Sequence, residues 1–359
     1  MKINLNTPIS TQLSYGIVGL NLVKSLTELG HEVSLFPIGQ LNISQESVPY
    51  YEDCLKNGIE NAKRFDTNSS SVRIFHQFSM GESIGSGQRV GFPIFELDRF
   101  NETEQHHLNS LDKIIVCSEW AKKIVLNQTK KEENNICVVP LGVDNNIFRP
   151  TQNHKDKKVF LNIGKWEKRK GHDLLFSIFL DAFPYEKNVE LWLMSSSPFY
   201  SKEENDQWEK LYRDKLGDRV KFLPPVQTSA EVAYIINQVD CGIFPYRAEG
   251  WNMGLLEMMG CGKHVIASDY SGPTQFLNKD NAHLVEVEDL EIAEDSRWFR
   301  SGIGSWAKLN PKQVKDFSQK MRSIYDWKRC GGSMVNTEGI KTAGLFSWEN
   351  SAKKLMEVL

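Results

Sequence analysis

Short β-rich runs alternate with longer helical runs along almost the whole chain, and the alternation starts over once. KINLN (2–6) leads into GIVGLNLVKSLTELG (16–30), an amphipathic run whose last glycine suits a helix C-terminus. EVSLFPI (32–38), SVRIFH (71–76), RVGFPIFE (89–96), KIIVCS (113–118) and ICVVPLG (136–142) follow as strands, with helices predicted over 104–111 and 119–128. VDNNIFRPTQNHKDKK (143–158) then breaks the rhythm with polar residues, a proline and a basic cluster, and reads as a linker. In the second series the strands are VFLNIG (159–164), VELWLMS (189–195), RVKFLP (219–224), CGIFPY (241–246), HVIAS (264–268) and HLVEVE (283–288). Helices are predicted there over 171–180, 203–216, 229–238 and 254–262, and the last 60 residues read as mainly helical. Strands separated by helices pair in parallel, so the expected class is α/β: two doubly wound sheets in tandem, each covered on both faces. Ligands of such sheets bind beyond the carboxyl ends of the strands, where the winding reverses. With two such domains, the cleft between them is the expected active site.

A chain of 359 residues is long enough for two domains with a core each. A net charge of −3 creates no global basic field, so composition does not call for a nucleic-acid partner. The six cysteines, Cys54, Cys117, Cys137, Cys241, Cys261 and Cys330, stand singly without a C-x-x-C pair. They read as reduced thiols rather than a disulfide frame or zinc site. MKINLNTPIS lacks the apolar core of a signal peptide, and no apolar run approaches the roughly 20 residues that span a bilayer. The expectation is a cytoplasmic protein with no transmembrane segment, at most peripheral to a membrane. The sequons at Asn42, Asn68, Asn101 and Asn127 then carry no meaning.

Two loops carry chemistry. NIGKWEKRKGHDLL (162–175) leaves a strand, turns at Gly164 and presents Lys165, Lys168, Arg169 and Lys170 before a helix opens near Gly171. Cations at a helix entry make a diphosphate site, because backbone N–H groups and the helix dipole add to the side-chain charge. A solvated basic loop would show the same residues. RAEGWNMGLLE (247–257) leaves another strand, with a helix expected from Met253 or Gly254. Gly250 and Gly254 would let the backbone approach a ligand closely. Glu249 stands before the helix and Glu257 about one turn inside it. A carboxylate accepts two hydroxyl hydrogen bonds at once, which suits a vicinal diol, although acids also favour a helix N-terminus with no ligand present. Cations for a diphosphate and acids for hydroxyls together describe a nucleotide-sugar.

At this point a resemblance enters. The E-x7-E pattern in EGWNMGLLE, followed by MMGCGKHVIASDYSGPTQF, resembles the donor-site signature of the retaining glycosyltransferases of family 4, which have the GT-B fold. SLTELGHEVSLF, SEWAKKIVL, VVPLGVDNNIFRP, GKWEKRKG and FSWENSAKKL agree with it, in the same order along nearly the whole chain. The resemblance implies an acceptor-side Rossmann-like domain over 1–150 and a nucleotide-sugar domain over 151–345, with a last helix at about 346–359 packing back on the first. It gives Glu249 the hydroxyls of the donor sugar and Glu257 those of the ribose. Lys165 and Lys170 would neutralise the departing diphosphate, and the turn Trp251-Asn252-Met253-Gly254 would offer backbone N–H groups. Residues near Val226 would line the base pocket, and Gly16 would belong to a loop that lets the phosphates approach. There are departures. Lys165 replaces the usual arginine, Ser14-Tyr15-Gly16 replaces a double glycine, and Glu96, with Asp98 close by, stands about where many relatives carry a histidine. Glu96, Asp98 and His76 are the acceptor-side candidates.

The implied reaction moves a hexose-type sugar from a nucleotide-diphosphate sugar, UDP- or GDP-linked, to an acceptor hydroxyl with retention of anomeric configuration. Its catalytic set would be Glu249, Lys165, Lys170 and Glu96. No D-x-D occurs in the chain, so a metal clamp has no support in the sequence, and no cofactor is expected. The rival readings are a non-catalytic nucleotide-sugar or glycan-binding partner of a transferase, and a nucleotide-sugar epimerase or phosphorylase on the same fold. Loops such as 40–70 and 77–88 would select the acceptor, which stays open among glycan, lipid-linked sugar, protein, small molecule and modified DNA base. Exposed aromatics would stack on a sugar or base, whereas those inside apolar runs such as FPIF belong to the core.

Overall fold

The computed structural model describes residues 1–151, 158–295, 297–300, 302–332 and 335–359. The chain divides into two compact units. The first comprises Met1–Asp144, Gln227–Ser229 and Leu345–Leu359, the second Asn145–Val226 and Ala230–Gly344. Of the proposed linker 143–158, residues 152–157 lie outside the described residues.

In the first unit, six strands form one sheet: β1 (Lys2–Thr7), β2 (Glu32–Pro37), β3 (Ser71–Phe75), β4 (Arg89–Pro93), β5 (Lys113–Val116) and β6 (Ile136–Val138). Their order is β2-β1-β3-β4-β5-β6, every pair parallel. Ile3, Asn4 and Leu5 are all buried, the mark of a strand covered on both faces rather than one. The covering helices are α1 (Ser14–Glu28), α2 (Val48–Ala62), α3 (Glu102–Asn109) and α4 (Glu119–Gln128). Winding reverses between β1 and β3.

The second unit repeats the plan with β7 (Lys158–Ile163), β8 (Val189–Met194), β9 (Val220–Phe222), β10 (Cys241–Phe244), β11 (His264–Asp269) and β12 (His283–Glu286). The order β12-β11-β10-β7-β8-β9 puts its reversal between β7 and β10. Asn162 ties those two strands together, donating from Nδ2 to the Ile243 carbonyl at 2.7 Å. A separate antiparallel pair, β13 (Leu290–Ile292) and β14 (Ser305–Ala307), follows. The helices are α5 (His172–Ala182), α6 (Lys202–Leu216), α7 (Ser229–Asn237), α8 (Met253–Gly260), α9 (Pro311–Arg329) and α10 (Thr337–Leu345). Phe160, Trp166, Phe179, Phe183 and Tyr212 centre the core. The buried Lys328 ammonium pins the end of α9 to Asp240 at 3.0 Å, and the other carboxylate oxygen of Asp240 accepts from Val159 N.

The last helix, α11 (Trp348–Val358), belongs to the first unit and packs on α1. Ser351 Oγ donates to the Pro140 carbonyl at 2.7 Å, and Val143 N donates to Phe346 O at 2.8 Å. All six cysteines are free thiols. Among the described residues no helix is long and apolar enough to cross a membrane.

Candidate active site

The loops after β7 and β10 flank the reversal in the second unit, and they are joined to each other. Gly171, with φ +78, opens α5 in a left-handed conformation that side chains rarely adopt. A Cβ there would stand 1.9 Å from the Pro245 carbonyl oxygen, so glycine lets the two loops touch. Arg247 N donates to Arg169 O at 2.6 Å beside that contact. Inside the first loop, Trp166 is buried and stacks on Trp208 with ring centroids 5.6 Å apart. His172 Nδ1 lies 3.1 Å from both the N–H and the carbonyl oxygen of Glu167, and its Nε2 lies 3.0 Å from Asn162 Oδ1 and 3.1 Å from Ser195 Oγ. Burial pushes His172 down to about 4, so it stays neutral and serves as a loop anchor.

Arg169 is 5% exposed and holds two carboxylates. Its Nε and Nη2 both reach Glu167 Oε2, at 3.0 and 2.7 Å, and its Nη1 reaches Glu249 Oε2 at 2.9 Å and Ala248 O at 2.7 Å. Lys170 Nζ donates to the other oxygen of Glu249 at 2.5 Å. Burial alone would raise the Glu249 carboxyl, but the charges of Lys170 and Arg169 and their hydrogen bonds outweigh it and hold the group at about 2. Glu167 is lowered as well, its burial outweighed by Arg169, Lys170 and Lys165. The Lys165 ammonium, about one-third exposed, stands 3.6 Å from Glu167 and over the Phe199 ring. The sequence offered four cations to a diphosphate, and the structure commits two of them elsewhere. Arg169 is spent inside on Glu167 and Glu249, and Lys168 donates to the Glu294 carbonyl. Lys165 and Lys170 remain at the edge, and a lysine ammonium has three donors, of which Glu249 takes one from Lys170. Three cations against two carboxylates leave Lys165, Glu167, Arg169, Lys170 and Glu249 with one positive charge in excess.

The second loop enters α8 through Asn252, whose φ is 71 and whose side chain accepts from Leu255 N at 3.2 Å. Capping satisfies that amide, while Met253 and Gly254 contribute first-turn N–H groups that no helix bond can use. A Cβ on Gly254 would meet the Ile163 side chain at 3.3 Å, so this glycine serves the packing of helix on strand rather than ligand approach. Trp251 is buried against the Phe276 ring. Ser271 Oγ accepts from Glu249 N at 2.9 Å and Gly272 N donates to Glu249 O at 2.9 Å, fixing the backbone beneath the clamped carboxylate. One turn into α8, Glu257 differs. Among the described residues no hydrogen bond or ion pair meets its carboxylate, and burial pushes it up to about 7. Val226 lies half-buried on the separate loop between β9 and α7.

In the first unit, Gly16 lies in the first turn of α1, not in a loop. A Cβ there would collide with Ser10 Cβ at 2.3 Å, so the room belongs to the chain folding back on the helix rather than to a phosphate. Tyr15 OH donates to the Ile94 carbonyl and lies 3.2 Å from His76 Nδ1. With the hydroxyl proton already given to Ile94, His76 donates to the hydroxyl from Nδ1. The hydroxyl thus links the loop after β3 to the loop after β4, two residues before the half-buried Glu96. Glu96 lies near Cys117, where its charge adds to burial in pushing the thiol up to about 12. Asp98 instead lines a cavity of about 570 Å³ with Arg99, Gln105 and Gln128.

Among the predicted residues, the structure assembles Lys165, Lys170, Glu249 and the 251–254 turn around the entry to α8, with Glu257 one turn inside. Glu167 and Ser271 are not among the expected residues, and Arg169, expected as a diphosphate cation, is turned onto Glu167 and Glu249 instead. The only trace of Glu167 in the sequence is an acid inside a basic run.

Solved structures match this architecture end to end. Sucrose-phosphate synthase from Thermosynechococcus elongatus aligns with a TM-score of 0.69 over 99% of this chain and 98% of its own, at 17% identity. Anabaena HepE in complex with UDP-glucose aligns with a TM-score of 0.69 over 99% and 98%, at 14% identity. Both are glycosyltransferase structures built from two Rossmann-like domains of the GT-B type.

The fold is GT-B.

Within this GT-B chain, residues 157–296 match the family model described as Glycosyl transferases group 1. Both acids and both loops of the second unit fall inside that match. D-inositol 3-phosphate glycosyltransferase from Mycobacterium marinum is 23% identical over 267 residues, covering 70% of this chain and 51% of that protein. The GPI3 subunit of phosphatidylinositol N-acetylglucosaminyltransferase from Saccharomyces cerevisiae is 22% identical over 228 residues, covering 61% and 49%. The aligned region spans about half the length of these curated relatives.

Proposed function

We propose that this GT-B protein is a retaining glycosyltransferase that moves a hexose from a nucleotide-diphosphate sugar to an acceptor hydroxyl without a metal ion. The observation that carries the reading is the unlike pair of acids at the entry to α8. Glu249 is held ionised by Lys170 and Arg169, while Glu257 has no partner of its own in the described residues. A strongly perturbed carboxyl without a partner, in a loop cluster at a winding reversal, marks a ligand site. The match to group 1 glycosyl transferases and the UDP-glucose bound by HepE point to the same ligand class.

In the proposed reaction the acceptor oxygen bonds to the anomeric carbon as the bond from that carbon to the phosphate oxygen breaks. Both events occur on one face of the sugar, and the acceptor proton passes to a phosphate oxygen, so no enzymic nucleophile is required. Negative charge then grows on the diphosphate, where Lys165, Lys170 and the first-turn N–H groups of Met253 and Gly254 act on it. Glu249 would accept from hydroxyls of the donor sugar and Glu257 from those of the ribose, with Val226 beside the base. Glu96 and His76 would orient the acceptor.

The test incubates the protein with UDP-, GDP- and ADP-sugars in EDTA and measures released nucleoside diphosphate against Glu257→Ala. One responding sugar, silenced in the variant, supports the reading. No release and no binding across the panel would sink it. The anomeric configuration of the product, read by NMR once an acceptor is found, decides retention.

A further inference from the structure

We propose that Phe78 is a stacking platform for an uncharged hexopyranose ring, the acceptor sugar of the transfer. Calling that sugar the acceptor rests on the function proposed above. The binding itself does not. Phe78 follows β3, one of the two strands between which the first sheet reverses its winding, where doubly wound sheets take ligands. Tyr15, from the first turn after β1, reaches the same place, with its ring 4.6 Å from that of His76.

The Phe78 side chain is 51% exposed, yet it is not loose. Before it, Gln77 Nε2 donates to Glu104 Oε1 at 2.9 Å. After it, the buried Arg73 donates from Nε to Ser79 O at 2.6 Å and from Nη2 to Ser79 Oγ at 3.1 Å. Both neighbours being tied, the backbone that carries the ring is held. One of its faces lies on the His76 ring, 9° from parallel at 5.0 Å, and His76 is itself packed by Tyr15 and Phe75. A stiff aromatic stack with solvent on its outer side leaves apolar area uncovered that a flat ligand would bury.

The surrounding charge selects the ligand. Residues 76–88 and 94–104 carry Glu82, Glu96, Asp98, Glu102 and Glu104 against Arg99 and the adjoining Arg73, which pairs with Glu82 at 2.9 Å. The net negative charge of these segments disfavours a phosphate or nucleotide, and a carboxylate accepts hydrogen bonds from sugar hydroxyls. A pyranose offers the matching surface: C–H groups on one face and hydroxyls at the rim.

Saturation-transfer NMR on the full chain tests this, with the methyl α- and β-pyranosides of glucose, galactose and mannose as probes and adenosine as the rival planar ligand. At least one hexoside should receive saturation on the C–H protons of one ring face. Phe78→Ala should weaken that binding by roughly tenfold or more, and Phe78→Trp should keep it. Matched melting temperatures exclude misfolding. Unchanged hexoside binding in Phe78→Ala, or binding of adenosine and no hexoside, overturns the proposal. Calorimetric titration of the wild type with UDP reads the second unit separately. Hexoside binding without UDP binding would leave the platform standing and remove the transfer reaction, and UDP binding without hexoside binding would do the reverse.

Discussion

Both units wind a six-stranded parallel sheet and bring loops from two neighbouring strands together where the winding reverses. In the second unit that place holds Lys165, Lys170, Arg169, Glu167 and Glu249, and in the first it holds Tyr15, His76 and Phe78. The difference has a physical consequence. Charges grouped in a buried loop need countercharges built in before any ligand arrives, because a lone buried ion is expensive. Aromatic rings need only stiff neighbours. The charged side should therefore fail abruptly when one member is removed, and the aromatic side gradually.

The largest effect is expected at Lys170. Lys170→Ala removes one of two cations holding Glu249 and the donor proposed for the diphosphate, and should lower nucleoside diphosphate release about 10²- to 10³-fold. Release within threefold of wild type would break the assignment of the charged loops to the leaving group. Arg169→Ala is next, and its effect is on stability. It strands Glu167 and Glu249 in the interior, which should cost about 3–5 kcal/mol in denaturant unfolding. Arg169→Lys should recover only part of this, since lysine lacks the forked donors.

The two acids of E-x7-E sharpen the comparison within the second unit, because their titrations run in opposite directions. Glu249 sits at about 2, below its ordinary value, so its contribution to stability is present above about pH 4.5 and is lost as pH falls towards 2. Glu257 sits at about 7, above its ordinary value, so the folded protein binds the extra proton and loses stability as pH rises from 4.5 through 7. A ligand that donates hydroxyl protons to Glu257 needs the ionised form. UDP affinity should therefore drop as pH falls from 8 to 6, by up to about tenfold. Glu257→Gln should bind weakly at both pH values and melt higher than wild type at pH 8. A calorimetric pH series on the two proteins checks both.

The alternation of strand and helix was legible because burial on both faces leaves strands as unbroken apolar runs. Strand ends were not, since the apolar character continues into the loops. The FPIFE run predicts strand to residue 96, yet β4 stops at Pro93, and Phe95 beyond it is core. Helix α2 escaped notice although Tyr51, Cys54, Leu55 and Gly58 fall at helical spacing, because a cysteine and a glycine make a faint apolar stripe. The three-residue strands β13 and β14 are too short to show a period. At the site, E-x7-E could be read directly. Which cation of KRK turns inward could not, because that depends on Glu249, 80 residues away from Arg169.

The smallest predicted effect lies on the aromatic side. Tyr15→Phe keeps the ring that packs on His76 but removes the hydroxyl shared by Ile94 and His76. The loss of hydrogen bonding should cost about 1 kcal/mol. It should also free the His76 proton from Nδ1, and the imidazole nitrogen shifts in a ¹⁵N-labelled sample would then move towards a mixture of tautomers. Arg169→Ala removes an ion the fold cannot replace, whereas Tyr15→Phe removes only one hydroxyl and its hydrogen bonds. If the tautomer shifts while hexoside binding holds, the stack depends on ring packing alone. If binding falls with it, the hydroxyl's hold on His76 belongs to the sugar site, and the first unit is less unlike the second than its rings imply.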